Sequence, residues 1–164
     1  ESLPLYHCRV TALLSIYYLI TSDRRVTPII YVWGIFGGTL ALAHPAMDPF
    51  KFPHFSNTFF YFYHIAILMA AYVVFKEHRD YILKCKNQVR LFTLFFNLSL
   101  YVINLGLHSN YGYMVKSPIF TDKFSKMTFY FLFAILVYDL LIQIIYKITD
   151  IRHGNDVSIE DIGM

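Results

Sequence analysis

Cys8, His64 and Asn104 are the residues of this sequence best suited to act together on an ester. A thiol attacks as its thiolate, and an imidazole within reach can take the proton. A carboxamide can donate to the oxyanion that forms when a carbonyl is attacked. Together they would supply a nucleophile, a base and a hydrogen-bond donor. His54, His108, Asn110 and Tyr111 are the polar and aromatic residues placed to bind a substrate beside them. For Cys8 there is a plainer alternative, since a lone cysteine in an apolar helix commonly packs as a small hydrophobe. His7 is its neighbour in sequence but points about 100° away on a helix, so His64 is the better base.

The elements that must position these residues are long apolar segments at 3–20, 26–43, 57–75, 88–107 and 127–146. At about 1.5 Å per residue, each is long enough for a bilayer core of about 30 Å, or nearly so. The chain is 57% apolar and 15% charged, well below the roughly 25% charge of a soluble domain. The segments are apolar on every face, which excludes an ordinary water-soluble bundle. The expected fold is therefore all-α: a polytopic transmembrane helix bundle with five predicted spans over 1–146 and a short tail at 147–164. No repeat, low-complexity tract or cleavable signal pattern is evident. The chain opens at Glu1 directly before the first span, so further helices are expected upstream.

Charge sets the expected orientation. Arg24, Arg25, Lys76, Arg79, Lys84, Lys86, Arg90, Lys147 and Arg152 fall on one side of the five spans. Arg9, Lys51, Lys116, Lys123 and Lys126 fall on the other. The first side is then cytoplasmic, and the 44–56 and 108–126 loops face outward from the cell membrane. Five of the seven histidines, His7, His44, His54, His64 and His108, join Cys8 toward the outer side. Cys8 lies about 7 Å and His64 about 10 Å below that interface, and Asn104 is near the end of its span. Matched depth on three helices predicts that the three converge on one cavity. Cys85 is on the opposite side from Cys8, so the two cannot form a disulfide.

Asn97, Tyr101, Asn104 and His108 follow at +4, +3 and +4, which puts them on one helical face. Lipid cannot satisfy carboxamides, so that face turns inward, where it can also serve simply to tie helices together. Asp139 and Gln143 are one turn apart, and Arg90 is expected to pair with the acid. Gly34, Gly37 and Gly38 predict close helix packing. A metal site built from His44, Asp48, His54 and His64 is disfavoured, because no HxxxH or HxxEH spacing occurs and Pro45 and Pro49 break any helix between them. No cofactor is implied.

Three blocks resemble the YwaF-like bacterial integral membrane proteins. They are Leu3-Pro4-Leu5-Tyr6-His7-Cys8, then Phe52-Pro53-His54-Phe55 with Phe62-Tyr63-His64, then Asn104 with Asn110-Tyr111-Gly112-Tyr113-Met114. They keep the family's order and together span about two thirds of the chain. The last helix departs from the pattern, with Phe124-Ser125-Lys126-Met127 where a Gly-Pro-Trp-like approach is usual. The resemblance extends to the animal transmembrane protein 164 group, which implies fatty-acyl transfer on phospholipids through a membrane cysteine and histidines. Cys8 would match the nucleophile and His64 the membrane histidine. Membrane phospholipids are the implied partners, and nucleic acid is not one. A non-catalytic accessory or scaffold protein, bound to other membrane subunits, is the alternative.

The charge asymmetry carries a direct test: Cys85, in the basic 76–90 segment, should resist impermeant reagents applied outside intact cells. Labelling from outside would reverse the orientation.

Overall fold

A computed structural model of the protein describes residues 5–45, 54–115 and 127–162, the side chains of 127–129 and 151–162 excepted. Leu3, Pro4, Asp48, Lys51, Phe52, Pro53, Lys116 and the 123–126 stretch lie outside the described residues. Every regular element among the described residues is helical: α1 (His7–Thr21), α2 (Thr27–Ala43), α3 (Phe55–Lys84), α4 (Lys86–Leu107) and α5 (Met127–Ile162). Short 3₁₀ turns at Arg24–Val26 and Tyr111–Tyr113 complete the set.

Four stretches are long and apolar enough to cross a membrane: Arg24–Ala43, Phe55–Lys84, Lys86–Leu107 and Tyr130–Asp150. The protein is thus an all-α membrane protein, but the first predicted span differs. α1 has 15 residues, about 22 Å of rise, short of the hydrocarbon thickness. Leu5 and Tyr6 precede it outside the helix. The third segment differs in the other direction. It does not stop at 75 but continues to Lys84, so most of the expected 76–90 link is helical. The tail after 146 is likewise helical, to Ile162. Charged residues end an apolar run without ending a helix, because Lys, Arg and Glu are good helix formers.

The chain divides into two compact units, Ser2–Ile82 and Leu83–Met164. In the first, α1 ends where Ser22 takes a left-handed conformation (φ 54°). The Asp23 side chain then accepts from Arg25 N–H at 3.0 Å, and Pro28 opens α2. α2 is the unit's central helix, with Ile30, Val32 and Trp33 fully buried. α3 turns Asn57, His64, Ile67, Ala71, Val74 and Ile82 inward, at the i+3 and i+4 steps of one helical face. Its opposite face exposes Phe55, Phe62, Met69 and Tyr72, as a lipid-facing helix must.

α1 and α3 run parallel and are tied at both ends. Tyr63 of α3 donates to the Cys8 carbonyl near the start of α1. Tyr18 near the end of α1 donates to the Glu77 carboxylate and is 2.8 Å from His78 Nε2. His78 has left helical geometry there (φ −130°, ψ 28°), which kinks α3 where the tyrosine hydroxyl meets it. α2 runs antiparallel to α3 and touches it closely. A Cβ added at Gly34 would lie 2.8 Å from Ala71 Cβ and 3.2 Å from the Ile67 carbonyl. One added at Gly38 would lie 2.7 Å from Leu68 and 3.3 Å from the His64 carbonyl.

The second unit pairs α4 antiparallel with α5. At one end Arg90 forks onto Asp139 at 2.6 and 3.0 Å, and Gln143 donates to the same carboxylate at 2.7 Å. Toward the other end Tyr101 stacks on Phe131, with ring centroids 4.0 Å apart. Cys85 is buried here. The orientation test therefore needs an exposed position, and Lys84→Cys supplies it.

Gly34 and Gly37 give an internal comparison, because nothing lies within 4 Å of a Cβ at Gly37. Gly34→Ala should push α2 off α3 and cost about 1–3 kcal/mol. Gly37→Ala should be neutral or stabilising by up to about 1 kcal/mol, through helix propensity alone. Melting of both variants in detergent micelles checks the difference. Equal melting temperatures would contradict the packing.

Candidate functional site

Cys8 is the second residue of α1 and is half-buried. No side chain caps the helix start at Tyr6. The backbone N–H groups of Cys8 and Arg9 are therefore among the free first-turn donors of α1. A helix start of this kind favours a negative charge beside it. His7 takes the inward direction instead. It packs edge-on against Trp33 and Phe36 of α2, at 4.8 and 6.0 Å between ring centroids.

His64 is buried on the inner face of α3. Its Nδ1 is 2.8 Å from the Phe60 carbonyl one turn back. A carbonyl can only accept, so in the neutral ring Nδ1 carries the hydrogen and Nε2 keeps its lone pair. That is the tautomer a general base requires. Phe60 and Tyr63 hold the ring from two sides, with centroids at 4.3 and 5.0 Å. The His64 backbone carbonyl in turn lies close to Gly38 of α2.

Cys8 and His64 do not hydrogen-bond to each other. The link between their two helices is one residue away, where Tyr63 Oη donates to the Cys8 carbonyl at 3.0 Å. Sequence reasoning missed Tyr63. The residue stands beside His64, and its i, i+4 relation to Phe59 was legible, but its reach to α1 depends on how the helices pack.

Asn104 belongs to the second unit, Cys8 and His64 to the first. The Asn104 carboxamide is engaged locally. Its nitrogen donates to the Tyr111 carbonyl at 2.9 Å. Its oxygen accepts from Tyr111 N–H at 2.7 Å and from Ser109 Oγ at 2.9 Å. It thereby fastens the turn after α4 to the end of the helix, and Gly112 (φ 63°) lets that turn close. Asn110 Oδ1 accepts from Val115 N–H at 3.1 Å in the same turn. Tyr111 is buried beneath it.

His108 is not a fourth member of the α4 stripe. The helix ends at Leu107, and His108 is its left-handed cap (φ 51°) with an exposed side chain. Asn97 and Asn104 are buried on the inner face, and Tyr101 is half-buried against Phe131. His54 sits at the start of α3, where its Nδ1 accepts from Ser56 N–H at 3.3 Å and lies 2.8 Å from Ser56 Oγ. His44 is exposed just past α2. Among the described residues no three His, Cys, Asp or Glu side chains are grouped to hold a metal ion.

Residues 1–149 match the TMEM164 family. The chain belongs to that family. The match covers Cys8, His64 and Asn104 alike. No curated protein matches the chain, and no solved structure does.

For this TMEM164-family chain, the Asn104 bonds predict a stability effect separable from chemistry. Asn104→Leu deletes both bonds to buried Tyr111 and should cost about 1–3 kcal/mol. Exchange of the Tyr111 amide hydrogen should accelerate about tenfold or more. Asn104→Asp, which keeps the acceptor for that amide, should fall between the variant and the wild type. Hydrogen exchange read by mass spectrometry in detergent measures both.

Proposed function

We propose that this integral membrane protein is a fatty-acyl transferase of lipid metabolism acting on membrane phospholipids, with Cys8 as nucleophile and His64 as base. The observation that carries this reading is the fixed tautomer of His64: Nδ1 is held by the Phe60 carbonyl, leaving Nε2 to accept a proton on the helix tied to Cys8. Catalytic contacts of this kind commonly tighten only when substrate is bound.

In the first half-reaction the Cys8 sulfur attacks a phospholipid ester carbonyl, and its proton passes to His64 Nε2. The tetrahedral intermediate collapses by breaking the carbonyl carbon–alkoxy oxygen bond. The departing oxygen takes the proton from His64, which releases a lysophospholipid and leaves a thioester on Cys8. In the second half-reaction His64 takes the proton of an acceptor hydroxyl as it attacks the thioester. Collapse expels the Cys8 thiolate, which takes that proton back. The first-turn N–H groups of Cys8 and Arg9 suit the oxyanion role expected of Asn104, whose nitrogen is engaged with Tyr111. His54, His108, Asn110 and Tyr111 remain the proposed substrate-contacting residues. The bacterial cell membrane, with Cys8 toward its outer leaflet, is the proposed location, in keeping with the YwaF-like blocks of sequence.

A second reading has its own support. In the C-terminal unit Arg90, Asp139, Gln143 and Asn104 are all engaged in tying helices and turns together, which also suits a scaffold bound to other membrane subunits.

The two readings part on one assay. Purified protein is incubated with isotope-labelled phospholipid and its intact mass is recorded. Wild type and Cys85→Ser should gain one acyl group, and Cys8→Ser none. His64→Ala should slow transfer by about 10²–10⁴-fold. If Cys8→Ser redistributes acyl chains among lipids as fast as wild type, the transferase reading fails and the scaffold stands.

A further inference from the structure

The Cys8 carbonyl that accepts from Tyr63 and the Arg9 N–H, a free donor of the first turn of α1, belong to one peptide group. A donor on the oxygen of an amide draws electron density from its nitrogen and makes its N–H a stronger donor. The geometry points to Tyr63 as a positioning residue that acts on the nucleophile through the Cys8–Arg9 peptide. Its hydroxyl polarises the peptide that carries the nucleophile's own carbonyl and the next first-turn N–H, and it ties that peptide to the turn that holds His64. This rests on the acyl-transfer reading for its purpose, though not for its measurement.

The surroundings of Tyr63 are built for a fixed hydroxyl. Its ring continues a stack along α3, Phe55 on Phe59 at 6.1 Å and Phe59 on Tyr63 at 6.2 Å, with interplanar angles of 25° and 21°. The His64 ring meets it edge-on at 89°. A tyrosine has few rotatable bonds, and rings on two sides restrict them further. A phenylalanine would fill the same space and keep the stack, so the hydroxyl can be removed almost alone.

A tie that only held α1 against α3 would predict something different, and the protein contains the control. Tyr18 joins the same two helices at their other end, through Glu77 and His78, and makes no contact with the Cys8–Arg9 peptide. Removing its hydroxyl loosens the helix pair without touching the nucleophile's own amide.

The experiment is carried out in the full chain carrying Cys85→Ser, so that Cys8 is the sole thiol. Three forms are compared: the parent, Tyr63→Phe and Tyr18→Phe. The rate of Cys8 alkylation by a membrane-permeant iodoacetamide is followed by intact mass, and each form is melted so that rates are compared per folded molecule at temperatures well below all three transitions. Tyr63→Phe should alkylate about fivefold more slowly than the parent, the scale of one hydrogen bond, and Tyr18→Phe at the parent rate. In the transfer assay Tyr63→Phe should lower kcat and leave KM within about twofold, because the hydroxyl acts as charge develops and not on lipid binding. Equal slowing in both variants would reduce Tyr63 to a helix tie and overturn the inference. So would parent-rate alkylation of Tyr63→Phe. Alkylation needs no acyl donor, so a wild type without transferase activity would end the proposed function while this comparison still decided the role of Tyr63.

Discussion

Hydrocarbon offers no hydrogen bonds, and every polar group placed in it must be satisfied by the protein. The described structure is largely an answer to that constraint. His64 turns one nitrogen to the carbonyl a turn behind it. Thr11 and Ser15 do the same with their hydroxyls, at His7 and Thr11 carbonyls. Arg90 and Gln143 converge on Asp139, so the acid in α5 has two donors to share its charge. Asn104 spends its carboxamide on the turn that follows its own helix. Each of these choices removes a cost of the order of one unsatisfied buried group, about 1–3 kcal/mol.

The same constraint makes the exceptions informative. Satisfying one end of a group leaves the other end defined. Once Phe60 has taken the Nδ1 hydrogen of His64, the remaining nitrogen can only accept. Once Tyr63 has taken a lone pair of the Cys8 carbonyl, the amide on the other side of that peptide becomes a better donor. Structure and chemistry are thus joined at the level of single bonds. Close packing makes the arrangement specific. Gly34 and Gly38 let α2 approach α3 to backbone distance, and the carbonyl nearest Gly38 is that of His64 itself. The helix that carries His64 is fixed by contact at a residue with no side chain.

The polar residues of the two units are spent differently. In the C-terminal unit the groups singled out from sequence close turns and tie α4 to α5. In the N-terminal unit Tyr63 ties the Cys8 backbone to α3, and His64 engages one ring nitrogen within its own helix.

The apolar segments were legible in the sequence because the bilayer's demand for long hydrophobic helices is written residue by residue, and α2, α4 and the starts of α3 and α5 lie where the hydropathy places them. The Arg90–Asp139 pair was legible for the same reason: an acid at depth must find a base. Hydropathy could not show that α3 runs nine residues beyond Phe75, because charged helix formers prolong a helix without prolonging its apolar run, and it gave no sign that α5 reaches Ile162. Nor could periodicity show that α4 stops one residue before His108, since a left-handed cap is a local backbone choice. That Tyr63 reaches Cys8 was decided only by tertiary structure. It depends on atoms brought together from separate helices, and sequence spacing fixes position along a helix but not what lies across from it.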